Sequence, residues 1–292
     1  MKRIFLFLLT NLAVVLVLSI VARLTGLDAW LAAHGQSYFG LLVFAALFGF
    51  GGSFISLLLS KTMAKRGMGV QIIDPQTQDP TGRWLLGVVE HHARTVGVGM
   101  PEVGIFQQPD PNAFATGWNR NSALVAVSSG LLQSMGRDQV EAVLGHEMTH
   151  VANGDMVTLA LIQGVVNTFV IFLSRVIAGL ISRSENGRGG GAYFLTVIVL
   201  QLVFGILANL IVMWFSRRRE FRADFGGAQL AGKSRMIAAL EGLKRVHEPL
   251  PSQQFAAFGI AEGPVASGLK RLFMSHPPLD ERIAALQALQ IA

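Results

Sequence analysis

Four long apolar runs divide the chain: Ile4–Ala22, Phe39–Leu59, Met156–Ile181 and Tyr193–Phe215. A helix needs ~20 apolar residues to cross the hydrocarbon core of a bilayer, so each run is expected to be a membrane span. The first run follows Lys2 and Arg3, as a signal peptide would. It exceeds the usual signal core of about 7–15 residues and no A-x-A site follows it, so an uncleaved span is expected. Between and after the spans the pattern turns polar and its period changes. Arg83–Thr95 places Trp84, Leu85, Val88, Val89 and His92 at helical spacing. Of the adjacent His91 and His92, one is expected to be solvated and the other packed. Val103–Gln107 reads as a strand, and Ala113–Thr116 and Ala123–Val127 flank the turn-rich Gly117–Ser122 as a hairpin. A helix is expected to begin near Asp138, with Asp138 and Glu141 suiting its N-terminus, Val140, Val143 and Leu144 as its buried stripe and Asn153-Gly154 at its C-cap. Ser234–Val246 and Pro278–Leu289 read as amphipathic helices, with Ser234 as N-cap and Pro278 in the first turn.

This pattern predicts a mainly α integral membrane protein with four transmembrane helices and a soluble α+β domain holding a small β-sheet. The expected divisions are residues 1–60 for the first two spans, 61–155 for one soluble block, 156–215 for the last two spans and 216–292 for a second soluble block. Each block has fewer than ~100 residues, so the two are expected to pack as one domain.

Composition agrees. Of 292 residues, 51% are hydrophobic and 14% charged, against ~25% charged in soluble domains. The absence of cysteine excludes disulfides and leaves His and carboxylates to hold any metal. The net charge is +6, but the basic residues flank apolar runs: Lys2 and Arg3, then Lys61, Lys65 and Arg66, then Arg217, Arg218 and Arg219. That placement signals membrane orientation, with both termini and the 60–155 segment cytoplasmic. No interleaved aromatic and basic patch points to nucleic acid. Arg175 inside the third run is an anomaly, expected to snorkel to an interface or to face the bundle interior.

The candidate chemistry lies in His146-Glu147-Met148-Thr149-His150, an H-E-x-x-H pattern. Residues four apart share one face of a helix, so His146 and His150 can reach one zinc ion while Glu147 handles the proton of an attacking water. A catalytic zinc takes three protein ligands. Glu220, in Glu220-Phe221-Arg222-Ala223-Asp224, is the candidate third. His150 lies about six residues before the third span, or ~9 Å of helix, and Glu220 about five after the fourth, or ~7 Å. If those spans form an antiparallel pair, both ligand sets emerge on one face. The competing reading makes Glu220 a juxtamembrane charge paired with Arg217–Arg219. Asp224, one turn on, could orient a ligand imidazole. His276, with Arg282 one helical face away, is a candidate donor to the oxyanion of the reaction. Asn112, Ala113, Phe114 and Ala115 form a candidate strand edge for an extended peptide.

Taken together, HEMTH-V-A-N-G-D before a span, E-F-R-A-D past another, N-A-F-A-T-G upstream and S-H-P-P-L-D-E-R near the C-terminus resemble the HtpX-type bacterial heat-shock membrane metalloproteases, relatives of the CaaX prenyl proteases. The resemblance covers essentially the whole chain. It implies a gluzincin-type site with one Zn2+ on His146, His150 and Glu220, and Glu147 as general base. His276 and Arg282 would lie near that site, and Asn112–Ala115 would face substrate. It further implies a cytoplasm-facing catalytic domain on the inner membrane, acting on misfolded or damaged membrane proteins alongside the membrane protease FtsH. The Gly187–Gly191 insert and Arg175 are left unexplained. The rival readings are a non-catalytic chaperone or scaffold with a structural metal, and a transporter with a metal site. An intact Glu147 argues against the scaffold, because a structural site has no use for a base. Ligands outside the spans argue against the transporter. The Pro-, Gly- and Gln-rich 248–268 loop is a candidate gate.

Overall fold

The computed structural model describes residues 37–182, 190–247 and 274–289, together with Ile20, Leu24, Gly26 and Ala29. The first expected span, residues 183–189 of the Gly-rich insert and the 248–268 loop fall outside these residues. Three described helices are long and apolar enough to cross a membrane, over Tyr38–Gly67, Asp155–Ile181 and Gly191–Ala231. The chain divides into two compact units, Met1–Leu57 with Val157–Val212, and Leu58–Met156 with Met213–Ala292.

In chain order the elements are α1 (Tyr38–Gly67), β1 (Gln71–Ile72), α2 (Pro80–Val96), β2 (Glu102–Phe106), β3 (Ala113–Gly117), β4 (Ala123–Ser128), α3 (Ser129–Ser134), α4 (Arg137–Asn153), α5 (Asp155–Ser182), α6 (Gly190–Ala231), α7 (Lys233–His247) and α8 (Leu279–Ala288).

The described elements of the first unit are all helices. Helices α1 and α5 approach closely: a Cβ at Gly49 would lie 2.4 Å from Thr168 Oγ1 and 2.6 Å from its backbone nitrogen. Small residues permit such crossings where lipid supplies no hydrophobic drive for helices to associate. Leu42 and Ala45 of α1 are fully buried, with Phe172 and Val176 of α5 packed alongside.

The second unit holds a four-stranded mixed sheet in the order β1-β2-β4-β3. Strands β2 and β4 run parallel, and β3 returns antiparallel to β4 with Ala113 opposite Val127 and Gly117 opposite Ala123. This is the expected hairpin. Every residue of β4 is buried, which explains its unbroken apolar run. Strand β3 is an outer strand and pairs on one side only among the described residues.

Helix α4 lies at the centre of this unit, against α2, α7 and β3. Val140, Ala142, Leu144, Met148 and Val151 are at most 1% exposed, the Val, Leu and Met side chains each contributing about 1.5–3 kcal/mol of burial. The helix begins at Arg137, as expected near Asp138, but its first-turn partner is Gln139 rather than Glu141. The Gln139 Oε1 accepts the Gly136 N–H at 3.1 Å, while its amide donates to Ala238 O at 2.8 Å. A tertiary contact thus selects the capping residue. At the other end Gly154 adopts the left-handed conformation (φ 61°) and donates to His150 O and Val151 O, as expected for the Asn153-Gly154 cap. Helix α7 starts at Lys233, so Ser234 lies inside it and is no N-cap; Lys233 donates instead to Gln287 O and Leu289 O of the α8 end. Pro278 precedes α8 as its N-cap.

Candidate active site

Helix α4 delivers His146 and His150 to one point, and α6 delivers Glu220. The two Nε2 atoms lie 3.2 Å apart. Each stands 3.4 Å from an oxygen of Glu220, His146 from Oε2 and His150 from Oε1. The ligand atoms of the three residues all fall within 4.8 Å of one another.

Both imidazoles are held from behind. His146 Nδ1 lies 2.9 Å from Asp224 Oδ1, and His150 Nδ1 lies 2.7 Å from Asp155 Oδ2. A carboxylate accepts, so both Nδ1 atoms carry the proton and both Nε2 lone pairs face inward, a tautomer assignment made from the bonding pattern. Two lone pairs 3.2 Å apart, with a carboxylate beside each, repel unless a cation sits among them. The donor set therefore fits a metal ion, and the imidazole–carboxylate chemistry suits zinc among biological metals.

Asp224 is itself gripped by Arg282, whose Nε donates to Oδ2 at 2.7 Å and Nη2 to Oδ1 at 2.6 Å. This forked pair is buried, Asp224 being 2% and Arg282 5% exposed. Arg282 thus spends its fork on Asp224; its Nη1 stands 3.7 Å from Glu220 Oε2. His276 Nδ1 donates to Glu220 Oε2 at 2.7 Å, and its ring is exposed at the lip of the site.

The electrostatics follow from burial and partners. Burial works to lower the proton affinity of His150, but Asp155 and Glu220 outweigh it and push its pKa up to about 10. His146 is likewise raised, burial being overcome by Asp224 and Glu220. Burial would raise Glu220, yet His146, His150 and His276 hold its carboxyl well below the usual carboxylate range. Glu220 lies past the apolar part of α6, beyond Arg217–Arg219. Asp224 is held low by Arg282 and His146 against burial. The site therefore favours positive charge at the point where the ligand atoms meet.

Close approach of α4 and α6 makes this geometry available. A Cβ at Gly226 would lie 2.3 Å from Thr149 Oγ1, and one at Gly227 3.0 Å from the His146 backbone nitrogen. Any side chain there would push Glu220 and Asp224 away from the two His.

A cavity of about 560 Å³ opens beside His146 and Glu147. Leu131, Val143, Met236 and Leu240 give it an apolar wall, and Asn112, Ala113, His276 and Arg282 also line it. Phe114 and Ala115 do not; Phe114 packs on Phe106 with ring centroids 5.4 Å apart, and Ala115 packs against the core. Asn112 is pinned by its own N–H to Ser128 Oγ and by the Ser128 N–H to its carbonyl.

Sequence reasoning missed Asp155, Gly226 and Gly227. Asp155 could have been found, since it follows the Gly154 cap of the His150 helix and metal-ligating imidazoles nearly always have a carboxylate or carbonyl behind them. No local signal marked the glycines. Of the two adjacent His in α2, His91 is exposed and His92 fully buried in the core, as expected, with His92 Nε2 3.3 Å from Glu141 O. Neither joins the metal cluster.

The family model described as Peptidase family M48 matches residues 80–290. The chain is 62% identical over 295 residues to the Protease HtpX homolog of Thiobacillus denitrificans, covering 99% of this chain and all of that protein. It is 61% identical over 298 residues to the Protease HtpX of Thioalkalivibrio sulfidiphilus, with the same coverage. It is 62% identical over 294 residues to the Protease HtpX of Xanthomonas euvesicatoria, across 98% of this chain and 97% of that protein. Among solved structures, the crystal structure of S. mikatae Ste24p superposes with a TM-score of 0.59 at 17% identity, over 96% of this chain and 66% of that one. That likeness is one of fold.

Proposed function

The chain belongs to peptidase family M48, and from that premise we propose a zinc-dependent endopeptidase of the bacterial inner membrane that cuts misfolded or damaged membrane proteins. That it is a membrane metalloprotease follows from the family, the relatives and the apolar helices. The observation that carries the rest is the meeting of His146, His150 and Glu220 at one point beside Glu147, on the wall of a cavity large enough for peptide side chains.

In this reading His146, His150 and Glu220 hold one zinc per chain. When bound, zinc activates water and polarises the scissile carbonyl. Glu147 accepts the proton of the attacking water and hands it to the leaving amine, a transfer worth about 10²–10⁴ in rate. Asp224 and Asp155 fix the two imidazoles in the tautomer that presents Nε2. Arg282 is a positioning residue that orients Asp224 and neutralises its charge. His276 holds Glu220 through Nδ1 and stands at the lip of the cavity as the proposed donor to the developing oxyanion.

Substrate is proposed to lie extended along the outer edge of β3, where backbone pairing tolerates many sequences. Asn112 and Ala113 bring that edge into the cavity, with Phe114 and Ala115 continuing it. The orientation rests on Lys61, Lys65, Arg66 and Arg217–Arg219 flanking the spans, which puts the catalytic part and both termini in the cytoplasm. There the chain would share substrates with FtsH. The four-span topology and the division at residues 60, 155 and 215 complete the proposal, as does gating by the 248–268 loop.

The test compares purified chain with Glu147→Gln, recording zinc per chain and hydrolysis of an unfolded protein. One zinc in both and cleavage only by the unaltered chain is the expected result. Zinc in neither, or equal cleavage by both, would overturn it.

A further inference from the structure

Arg175 is the one charged side chain among the described residues of the first unit, which hold no Asp or Glu. Its guanidinium does not snorkel toward the near end of α5. It bends back along the helix, with Nη1 3.4 Å from Ile171 O, and lies 4.5 Å over the ring of Phe44. A cavity of about 480 Å³ opens in front of it. Helix α1 contributes Phe44 and Phe48, α5 contributes Asn167 and Arg175, and α6 contributes Gln201. Asn167 Oδ1 accepts from Gln163 Nε2 at 2.8 Å. That bond turns the Asn167 amide so that its N–H groups remain as donors. The cavity therefore offers a cation and amide N–H groups within apolar walls. It is built for an anion.

Depth decides which anion. The guanidinium lies level with Ile171, ~4 Å from the middle of the Met156–Ile181 apolar run at 1.5 Å per residue. Lipid phosphates sit ~20 Å from the midplane. A headgroup would have to sink most of that distance. A carboxylate on a membrane-spanning helix is already at this depth, and such a group seeks a partner because water is absent there.

We propose that Arg175, with Asn167 and Gln201, receives substrate helices that carry an Asp or Glu near the middle of their span, pairing a guanidinium that meets no carboxylate among the described residues of its unit with an unpartnered carboxylate across the Phe44–Phe48 wall. This rests on the peptidase reading and names its substrate class. A membrane protein that has lost its partner or its fold exposes just such a carboxylate to lipid. The site would select it by charge and depth, independently of sequence at the scissile bond.

The test uses the full chain with Glu147→Gln in bacterial membranes, with a photoreactive residue in place of Phe48. Single-span test proteins carry Asp, Leu or Lys at the middle of the span. Crosslinking to the Asp span should exceed that to the Leu span by at least about tenfold, the ratio that 1.4 kcal/mol supports. Arg175→Gln should erase the preference, and Arg175→Glu should transfer it to the Lys span, which also shows that the variant is folded. Equal yields for Asp and Leu spans, or labelling of anionic phospholipid whatever the span carries, overturn the proposal. The first comparison needs no change at Arg175, so misfolding cannot rescue the idea. Crosslinking needs no cleavage, so failure of the peptidase reading would appear separately, as absent hydrolysis of a soluble unfolded protein by the unaltered chain.

Discussion

Asp224 accepts from His146 at 2.9 Å while both its oxygens are gripped by Arg282, so one buried carboxylate orients a candidate ligand imidazole and compensates a cation. Asp224→Asn should lower metal affinity by ~10–100-fold, the usual effect of removing the partner of a ligating imidazole. Asp224→Ala should do more, since it strands the buried Arg282 charge and should destabilise the fold by ~3–5 kcal/mol. Chelator competition reads the first effect and thermal unfolding in detergent the second. Unchanged metal affinity in both variants would show that His146 needs no support.

Asp155 plays the same part for His150 from the other side of the helix cap. Its side chain lies 2.7 Å from Nδ1, and its carbonyl accepts from Arg219 at 3.1 Å. Asp155→Ala should also weaken metal binding ~10–100-fold, with hydrolysis recovering at saturating metal. Activity that stays low at saturating metal would mean Asp155 acts on more than the ligand.

Gly226 sits where α4 and α6 cross. A Cβ there would meet Thr149 Oγ1 at 2.3 Å and Cγ2 at 2.4 Å. Gly226→Ala should cost ~1–3 kcal/mol by overpacking and reduce metal occupancy by moving Glu220. Thr149→Ala removes both atoms, so the double variant should recover part of the loss. Strict additivity in unfolding experiments would show that the clash is relieved elsewhere.

His92 should make stability depend on pH. Burial lowers its proton affinity, more than Glu141 restores it, and its Nδ1 has no hydrogen-bond partner among the described residues. The unfolded chain takes up a proton on this ring below its ordinary value of ~6.5, and the folded chain resists. More protons on the unfolded state means stability rises with pH, so it is full above ~6.5 and erodes on acidification. His92→Leu should flatten that slope relative to the unaltered chain, as read from melting temperature against pH. An identical slope would assign the acid sensitivity to other groups.

The local devices were legible in the sequence because they are written in neighbouring residues. The apolar runs after residue 37 became α1, α5 and α6, the short segments on either side of the turn-rich Gly117–Ser122 became β3 and β4, and the spacing of His146 and His150 placed both on one face of α4. Glu220 was legible through its place after a long apolar run. Glu141 was read as the first-turn partner of α4, and Ser234 as a cap, because Gln139 and Lys233 are held by Ala238 and by the end of α8, partners 99 and 54–56 residues distant in the chain.

By itself the sequence determined the family of chemistry: two imidazoles and a glutamate at helical spacing, no cysteine to replace them, and apolar runs long enough to place them at a membrane. Tertiary structure alone decided how that chemistry is held. Asp155 behind His150, Arg282 behind Asp224, the bare backbone at Gly226 and the inward turn of Arg175 are contacts between segments distant in the chain or across a helix cap. Hydrogen-bond angle, burial and closest approach are properties of that packed geometry, and residue order carries no record of them until the helices cross.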